Sequence, residues 1–247
     1  MVRPQRRPLV FAHRGAKLTA PENTLPAFEE AVRLGADGVE LDVQYTLDGH
    51  LVVIHNRTLE ATTNGTGRVT SHSLQELRAL DAGSWFSPRF AGTHLPTLDE
   101  VLDLLRKKLL VNIELKSMET ETSGIGVDVV AAVKAQGMVE QVIISSFNPI
   151  ALRRARQAGR EIDGALLLAA DLPGWMRSGL VRRWSKAVAL HPELTMVNEA
   201  YLARAHKLGL PVRVWTVNDD ADIRRMIDLG VDAIITDAPD RALALRE

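Results

Sequence analysis

Two acidic residues, Glu40 and Asp42, stand two positions apart within an apolar run. In an extended strand this spacing points both side chains to the same face, so the carboxylates would lie side by side. Like charges at that distance repel each other unless a cation or a proton lies between them. A solvated pair at a sheet edge is the alternative, but the position of the run in the chain favours a central strand and therefore a metal site.

Glu114 ends a later apolar run and supplies a third carboxylate. Three hard oxygen ligands suit Mg²⁺ or Ca²⁺ better than zinc. We therefore predict one divalent cation, Mg²⁺ or Ca²⁺, held by Glu40, Asp42 and Glu114, with water and substrate completing its shell.

Two histidines and two permanent cations end neighbouring apolar runs, namely His13, Arg14, His55 and Lys116. A lone histidine at a strand end is more often structural, but two beside a bound cation can take one proton and deliver another. The planar fork of Arg14 suits a phosphate group. Lys116 should project to the same side as Glu114 and help neutralise an oxyanion. The alternative is that its ammonium snorkels, extending into solvent at the mouth of a loop.

These residues need elements that bring them together, and short β-rich runs do alternate with helical stretches along the chain. The eight predicted strands are Leu9–Ala12, Val39–Tyr45, Leu110–Glu114, Gln141–Ser145, Gly164–Leu168, Ala187–Leu190, Val212–Thr216 and Ala233–Thr236. Helical stretches include Thr24–Leu34, Leu98–Leu105, Val127–Gln136, Ala151–Ala158 and Asp219–Leu229. Eight such pairs in 247 residues predict an α/β fold, the TIM (β/α)8 barrel. A doubly wound sheet is the alternative, but it would have a Gly-x-Gly-x-x-Gly loop after the first strand, which is absent here.

In a TIM barrel the loops that follow the strands converge at the carboxyl ends, where reactive residues stand. All seven residues named above fall at such ends. Trp215 closes the seventh predicted strand at the same rim, where it could form an aromatic wall beside a small polyol or simply pack.

One segment is too long for an ordinary loop of the barrel. It follows the second predicted strand with a hairpin, in which Asp48-Gly49 is the turn and Leu51–Ile54 the returning strand. We interpret residues 56–96 as a small insertion or lid on the carboxyl end of a single domain spanning residues 1–247.

Composition excludes several classes of function. The 30 basic and 31 acidic residues give a net charge of −1, which predicts no nucleic-acid partner and no anionic membrane partner. The absence of cysteine excludes disulfides, thiolate metal sites and a cysteine nucleophile. No run has the length of a membrane span or a signal peptide, so we predict a cytoplasmic protein without an integral membrane segment. The sequence does not indicate an oligomeric state.

The chain resembles the glycerophosphodiester phosphodiesterase family, most closely its cytoplasmic bacterial members. The resemblance depends on an ordered set of motifs over essentially the whole chain, so chance is a poor explanation. The motifs are His13-Arg14-Gly15, Pro21-Glu22-Asn23-Thr24, Glu40-Leu41-Asp42-Val43, Asp48-Gly49 through His55, Thr58-Leu59, Thr62 through Gly67, Leu95-Pro96-Thr97-Leu98, Asn112 through Lys116, Ser145-Ser146-Phe147, Trp215-Thr216-Val217-Asn218 and Gly230 to Asp237.

The resemblance implies a TIM barrel with an insertion after the second strand, in agreement with the spacing. It also implies that the three carboxylates bind the divalent metal, that His13 and His55 are the acid–base pair, that Arg14 contacts phosphate and that Lys116 supports the site. One departure is visible, because Asn56 stands where the family usually has Asp after the second histidine. Asn can still orient a loop but carries no negative charge, so the basicity of His55 is expected to differ.

The function predicted in this way is metal-dependent hydrolysis of a small glycerophosphodiester to sn-glycerol 3-phosphate and an alcohol. A lysophospholipase D acting on lysolipids is one alternative, and it would need an apolar or membrane-facing patch near the rim. A non-catalytic barrel that binds phosphate compounds is another, although binding alone does not need two proton carriers.

Overall fold

The short β-rich runs form parallel strands because both of their faces are covered. The computed structural model describes residues 7–117 and 124–247. Within these ranges the strands are β1 (Leu9–His13), β2 (Gly38–Tyr45), β3 (Leu51–Val53), β4 (Leu110–Leu115), β5 (Val142–Ser146), β6 (Asp163–Leu168), β7 (Ala189–Pro192), β8 (Arg213–Val214) and β9 (Ala233–Thr236). The α-helices are α1 (Leu25–Arg33), α2 (Leu74–Arg78), α3 (Leu98–Leu105), α4 (Ile125–Ala135), α5 (Pro149–Ala158), α6 (Gly179–Ser185), α7 (Glu199–Lys207), α8 (Asp220–Leu229) and α9 (Pro239–Arg246).

The strands are hydrogen-bonded in the order β7-β6-β5-β4-β2-β1-β9-β8, all of them parallel. Isolated parallel bridges from Leu190 to Val212 and from Glu193 to Trp215 join β7 to β8 and bring the two ends of the sheet together. The predicted TIM (β/α)8 barrel is therefore confirmed. Strand β8 is shorter than the predicted Val212–Thr216, because its pairing on the β7 side is reduced to these two bridges.

The barrel separates apolar from polar residues by the two-residue period of its strands. On β2, the outward residues Val39, Leu41 and Val43 are fully buried in a core formed with α1 and α3. The inward residues of the barrel form an apolar floor that includes Phe11 and Ile143. Polar side chains occupy the inward positions above this floor, at the carboxyl ends of the strands.

The segment after β2 begins with the predicted hairpin, since β3 pairs antiparallel with β2. Gly49 has a φ of 82° in the turn, a conformation that glycine adopts at little cost. The residues that follow contain α2, whose Ser73 and Glu76 form a capping box. Apolar side chains of the segment form a small core separate from the barrel cores, which includes Ile54, Leu59, Val69, Leu77 and Leu95. The action of residues 56–96 as a lid within one domain stays a prediction.

The helices in the described ranges include none that is both long and apolar enough to cross a membrane.

Candidate active site

A cleft with about 470 Å³ of open space lies at the carboxyl ends of the strands. Most of the residues predicted from the sequence line it. The lining residues are His13, Arg14, Glu40, His55, Asn112, Glu114, Lys116, Phe147, Leu167, Trp215, Thr216 and Ile235. Asp42 is fully buried beside the cleft. The structure thus brings together all eight predicted site residues.

Parallel register explains why residues far apart in the chain meet here. His13 on β1 pairs with Glu40 on β2, and Asp42 pairs with Glu114 on β4. Paired residues of neighbouring strands present their side chains to the same face. One oxygen from each of Glu40, Asp42 and Glu114 therefore lies within 4.8 Å of the others.

The three carboxylates have strongly perturbed acidity. Burial raises the pKa of Glu40 well above its ordinary value, and the charges of Asp42 and Glu114 raise it further. Burial also raises the pKa of Glu114, to about 7, despite the opposing effect of Lys116. Burial would likewise raise the pKa of Asp42, but the charges of Lys116 and Arg14 outweigh it and keep that pKa low.

Two side-chain cations neutralise part of this negative charge. The Lys116 ammonium lies 2.6 Å from Glu114 Oε1 and 3.0 Å from Asp42 Oδ1. The pKa of Lys116 is raised, because these two carboxylates outweigh the effect of burial. Arg14 Nε lies 3.5 Å from Asp42 Oδ2, and Arg14 Nη1 donates to Glu22 Oε1 at 2.8 Å. Glu22, which does not belong to the cluster of Glu40, Asp42 and Glu114, therefore also holds the Arg14 guanidinium in place.

The cluster of three carboxylates, which we call the carboxylate group, fits a hard divalent cation. It offers only oxygen donors and is buried, and the charges of Asp42 and Glu114 still raise the pKa of Glu40 with Lys116 and Arg14 in place. A divalent ion among these oxygens would favour the ionised form of all three groups.

The turn after β1 positions Arg14 at the cleft. Arg14 has a φ of 59° and its backbone N–H donates to the backbone oxygen of Glu40 at 2.9 Å. Gly15 follows with a φ of 79°, and a Cβ there would lie 2.8 Å from Ala27. Only glycine fits that close approach to α1, which gives a physical reason for the His-Arg-Gly order.

His13 has a carboxylate partner that sequence reasoning missed. Its Nδ1 lies 2.6 Å from Oδ1 of Asp237, the residue directly after β9. Lys17 Nζ lies 3.0 Å from the same oxygen, and Asn218 Nδ2 donates to Asp237 Oδ2 at 2.8 Å. The partners His13 and Lys17 hold the pKa of Asp237 at about 2, against the effect of burial. The available signal was an acidic residue at a predicted strand end.

With Asp237 on Nδ1, the other nitrogen of His13 faces the carboxylates, where Nε2 lies 3.8 Å from Glu40 Oε2. Burial lowers the pKa of His13, and this outweighs the opposing effect of the Asp237 hydrogen bond. Burial thus favours the neutral imidazole, the form that can accept a proton.

His55 has a neutral partner instead. Its Nδ1 lies 2.9 Å from Oδ1 of Asn56, the residue that departs from the family pattern. The Gln44 side-chain amide donates to the backbone oxygens of Ile54, His55 and Asn56 and so fixes this turn. Burial lowers the pKa of His55, while the charge of Asp42 opposes that change.

Trp215 stands on the cleft wall, edge-to-face with Phe147 at a centroid distance of 5.6 Å. Its indole N–H donates to the backbone oxygen of His191 at 2.7 Å. The indole is thus fixed in orientation, with part of its surface left for the cleft.

The fold and the cleft together define an enzyme of the TIM-barrel class with its polar site at the carboxyl end of the barrel. Within that class, the chain belongs to the glycerophosphoryl diester phosphodiesterase family, whose sequence profile matches residues 13–241. The family and the enzyme class predicted from the sequence are confirmed by this match.

Relatives agree over nearly the full length. A glycerophosphodiester phosphodiesterase from Caldanaerobacter subterraneus is 43% identical over 243 residues, which cover 96% of this chain and 97% of the relative. The crystal structure of a glycerophosphodiester phosphodiesterase from Agrobacterium tumefaciens matches with a TM-score of 0.83 at 34% identity, covering 96% of this chain and 99% of that one. An Oleispira antarctica phosphodiesterase, solved in complex with the product sn-glycerol-3-phosphate, matches with a TM-score of 0.84 at 29% identity and 96% coverage of both chains.

Proposed function

We propose that this protein hydrolyses small glycerophosphodiesters to sn-glycerol 3-phosphate and a free alcohol. The observation that supports it best is the placing of two imidazoles, His13 and His55, on one cleft with the buried carboxylate group. The bound product in the Oleispira antarctica relative supports the same substrate class. The predicted cytoplasmic location stays a prediction.

Glu40, Asp42 and Glu114 would hold one divalent cation, Mg²⁺ or Ca²⁺. When bound, the cation would supply positive charge to the phosphoryl oxygens. Arg14 and Lys116 line the same cleft, and each can donate to phosphoryl oxygens as negative charge grows on them. Because Glu22 and Asp42 hold the Arg14 guanidinium from two sides, little reorganisation is needed when the substrate arrives.

The two histidines would carry the protons of the reaction. One accepts the proton of the attacking hydroxyl as its oxygen bonds to phosphorus, and the other gives a proton to the departing alkoxide as the phosphorus–oxygen bond breaks. The attacking group is either water or the glycerol 2-hydroxyl of the substrate, and the latter gives a cyclic phosphate that water then opens. Asp237 on His13 and Asn56 on His55 fix the two rings and make them electrostatically unequal.

A head-group screen tests the proposal. Chelator-treated protein is supplied separately with Mg²⁺, Ca²⁺ or Mn²⁺, and release of sn-glycerol 3-phosphate is measured from glycerophosphocholine and glycerophosphoethanolamine. We expect turnover only with added cation. Faster turnover of lysophosphatidylcholine than of glycerophosphocholine would instead indicate a lysophospholipase D. Substrate binding without alcohol release across all three metals would indicate a non-catalytic barrel.

Replacing Asn56 with Asp will raise the pKa of His55, because a carboxylate in place of the amide favours the protonated imidazole. We expect one limb of the pH profile of kcat/KM to move to higher pH by roughly one unit while the other stays. If His55 is the acid, the alkaline limb moves and the profile widens. If it is the base, the acidic limb moves and the profile narrows. Two unmoved limbs would show that His55 carries no proton in the reaction.

A further inference from the structure

An exposed apolar surface lies on the loop and helix that follow β6, outside the cleft. Its members are Trp175, Leu180 and Trp184, which are 66%, 78% and 48% exposed, and we call it the tryptophan face. Leu180 and Trp184 are one helical turn apart on α6, so they share a side of the helix. The backbone N–H of Ser178 donates to the oxygen of Trp175 at 3.2 Å, which folds the loop onto the start of α6. Single exposed apolar residues are ordinary, but three large ones within ten residues of one loop and helix indicate a contact surface.

The same part of the chain is strongly basic. Residues 149–186 contain eight basic and three acidic residues, a net charge of +5, whereas the whole chain has −1. The rest of the chain therefore carries −6. The near-balanced composition predicted no anionic membrane partner, but a total charge cannot support that inference here, because it hides this uneven distribution.

Several of these cations are placed to act at the tryptophan face. Arg177 and Arg183 are exposed, and neither forms an ion pair within residues 7–117 and 124–247. Arg153 of α5 lies over the Trp184 ring at 4.9 Å and also donates to the Trp184 backbone oxygen. The Trp184 indole is thus held by Arg153 and still remains about half exposed.

We propose that the tryptophan face docks the protein on the surface of an anionic lipid membrane. Indole rings prefer the boundary between lipid headgroups and acyl chains, and arginines beside them can bind lipid phosphates. A second copy of this chain is a poor occupant, since it would bring two surfaces of the same positive charge together. Docking does not depend on the proposed hydrolysis, because it needs no turnover.

The loop at the start of the tryptophan face leaves the barrel at the end on which the cleft opens. Leu168 ends β6 at the carboxyl end of the barrel, the preceding Leu167 lines the cleft, and the loop carrying Trp175 follows directly. The Trp175 end of the tryptophan face is therefore joined to the end of the barrel on which the cleft opens, and α6 runs from there toward the amino ends of the strands.

Sedimentation with vesicles tests the proposal without substrate. The full chain is mixed with vesicles of phosphatidylcholine alone or of phosphatidylcholine with phosphatidylglycerol, at low and high salt. We expect binding to the anionic vesicles at low salt, weakened by high salt. The double variant Arg177→Gln/Arg183→Gln should bind about fivefold more weakly for each charge removed, since one such residue near the surface contributes about 1 kcal/mol. Trp175→Ser/Leu180→Ser should lose at least about tenfold, because it removes the apolar contact.

Matched controls come from elsewhere on the chain. Arg224→Gln removes an exposed arginine of α8, and Leu208→Ser removes a 63% exposed leucine after α7, both outside the tryptophan face. Neither should change vesicle binding, and all four variants should keep wild-type turnover of soluble substrate. Equal binding of wild-type protein to neutral and anionic vesicles would overturn the proposal. So would wild-type binding by both face variants, or self-association through the face without vesicle binding.

Discussion

Replacing Glu40 with glutamine will lower turnover of glycerophosphodiesters by on the order of a thousandfold or more, while the barrel stays folded. Glutamine keeps the size of the side chain but removes one of three carboxylates that lie within 4.8 Å of one another. It therefore removes a ligand charge from the proposed cation site. Steady-state release of sn-glycerol 3-phosphate with saturating Mg²⁺ or Ca²⁺ measures the loss.

The same variant should be at least as stable as the wild type when both are free of metal. The raised pKa of Glu40 reflects burial together with repulsion from Asp42 and Glu114, and neutral glutamine avoids both. Added cation at a hundred times its Kd should raise the free energy of unfolding of the wild type by about 2.7 kcal/mol, and its Tm accordingly. The Tm of the variant should not change. Glu29→Gln on the exposed face of α1 is the matched control and should change neither activity nor metal response. Full activity of Glu40→Gln in chelator-treated buffer would show that the proposed site is wrong.

Replacing His13 or His55 with asparagine should each reduce kcat/KM by about 10²- to 10⁴-fold, because each removes one proton carrier from the transition state. A substrate with a p-nitrophenolate leaving group separates the two roles. This leaving group departs without protonation, so it should largely rescue the variant that lacks the acid but not the one that lacks the base. Equal rescue of both, or of neither, would contradict a division of roles between the two rings.

Asp237→Asn should reduce kcat/KM by a smaller factor than His13→Asn. Asp237 would act through His13, as a positioning residue, and its loss should cost on the order of ten- to a hundredfold, less than the loss of His13 itself. Because the Asp237 hydrogen bond raises the pKa of His13, the variant should also move the limb controlled by His13 to lower pH. A merely structural role would reduce activity without moving that limb. Combining Asp237→Asn with His13→Asn should add little, since both changes act on one ring.

Local pattern was sufficient to predict the elements and much of the cleft. A two-residue period sets the face of a strand, so the spacing of Glu40 and Asp42 was enough to assign both to one side of β2. The alternation of strands and helical stretches led to the barrel, and the barrel led to the carboxyl rim on which His13, His55 and Lys116 lie.

The local sequence pattern does not predict which distant segments of the chain pair with each other. Asp237 meets His13 across 224 positions of the chain because β9 pairs with β1. The sequence places each residue at a strand end but does not show that the two strands are neighbours. The charges of Lys116 and Arg14 keep the pKa of Asp42 low while the pKa values of Glu40 and Glu114 are raised, and these cations likewise reach Asp42 only once the strands pack.

Side-chain periodicity and the order of the motifs were enough to predict which residues face inward, which class of barrel they build and which family the chain belongs to, because both can be read along the chain without knowing its folded contacts. The tertiary structure alone decided which carboxylate supports which imidazole, and which helix exposes tryptophan and arginine together. Both depend on strand register and on helix packing, and these are set by contacts between parts of the chain that are far apart.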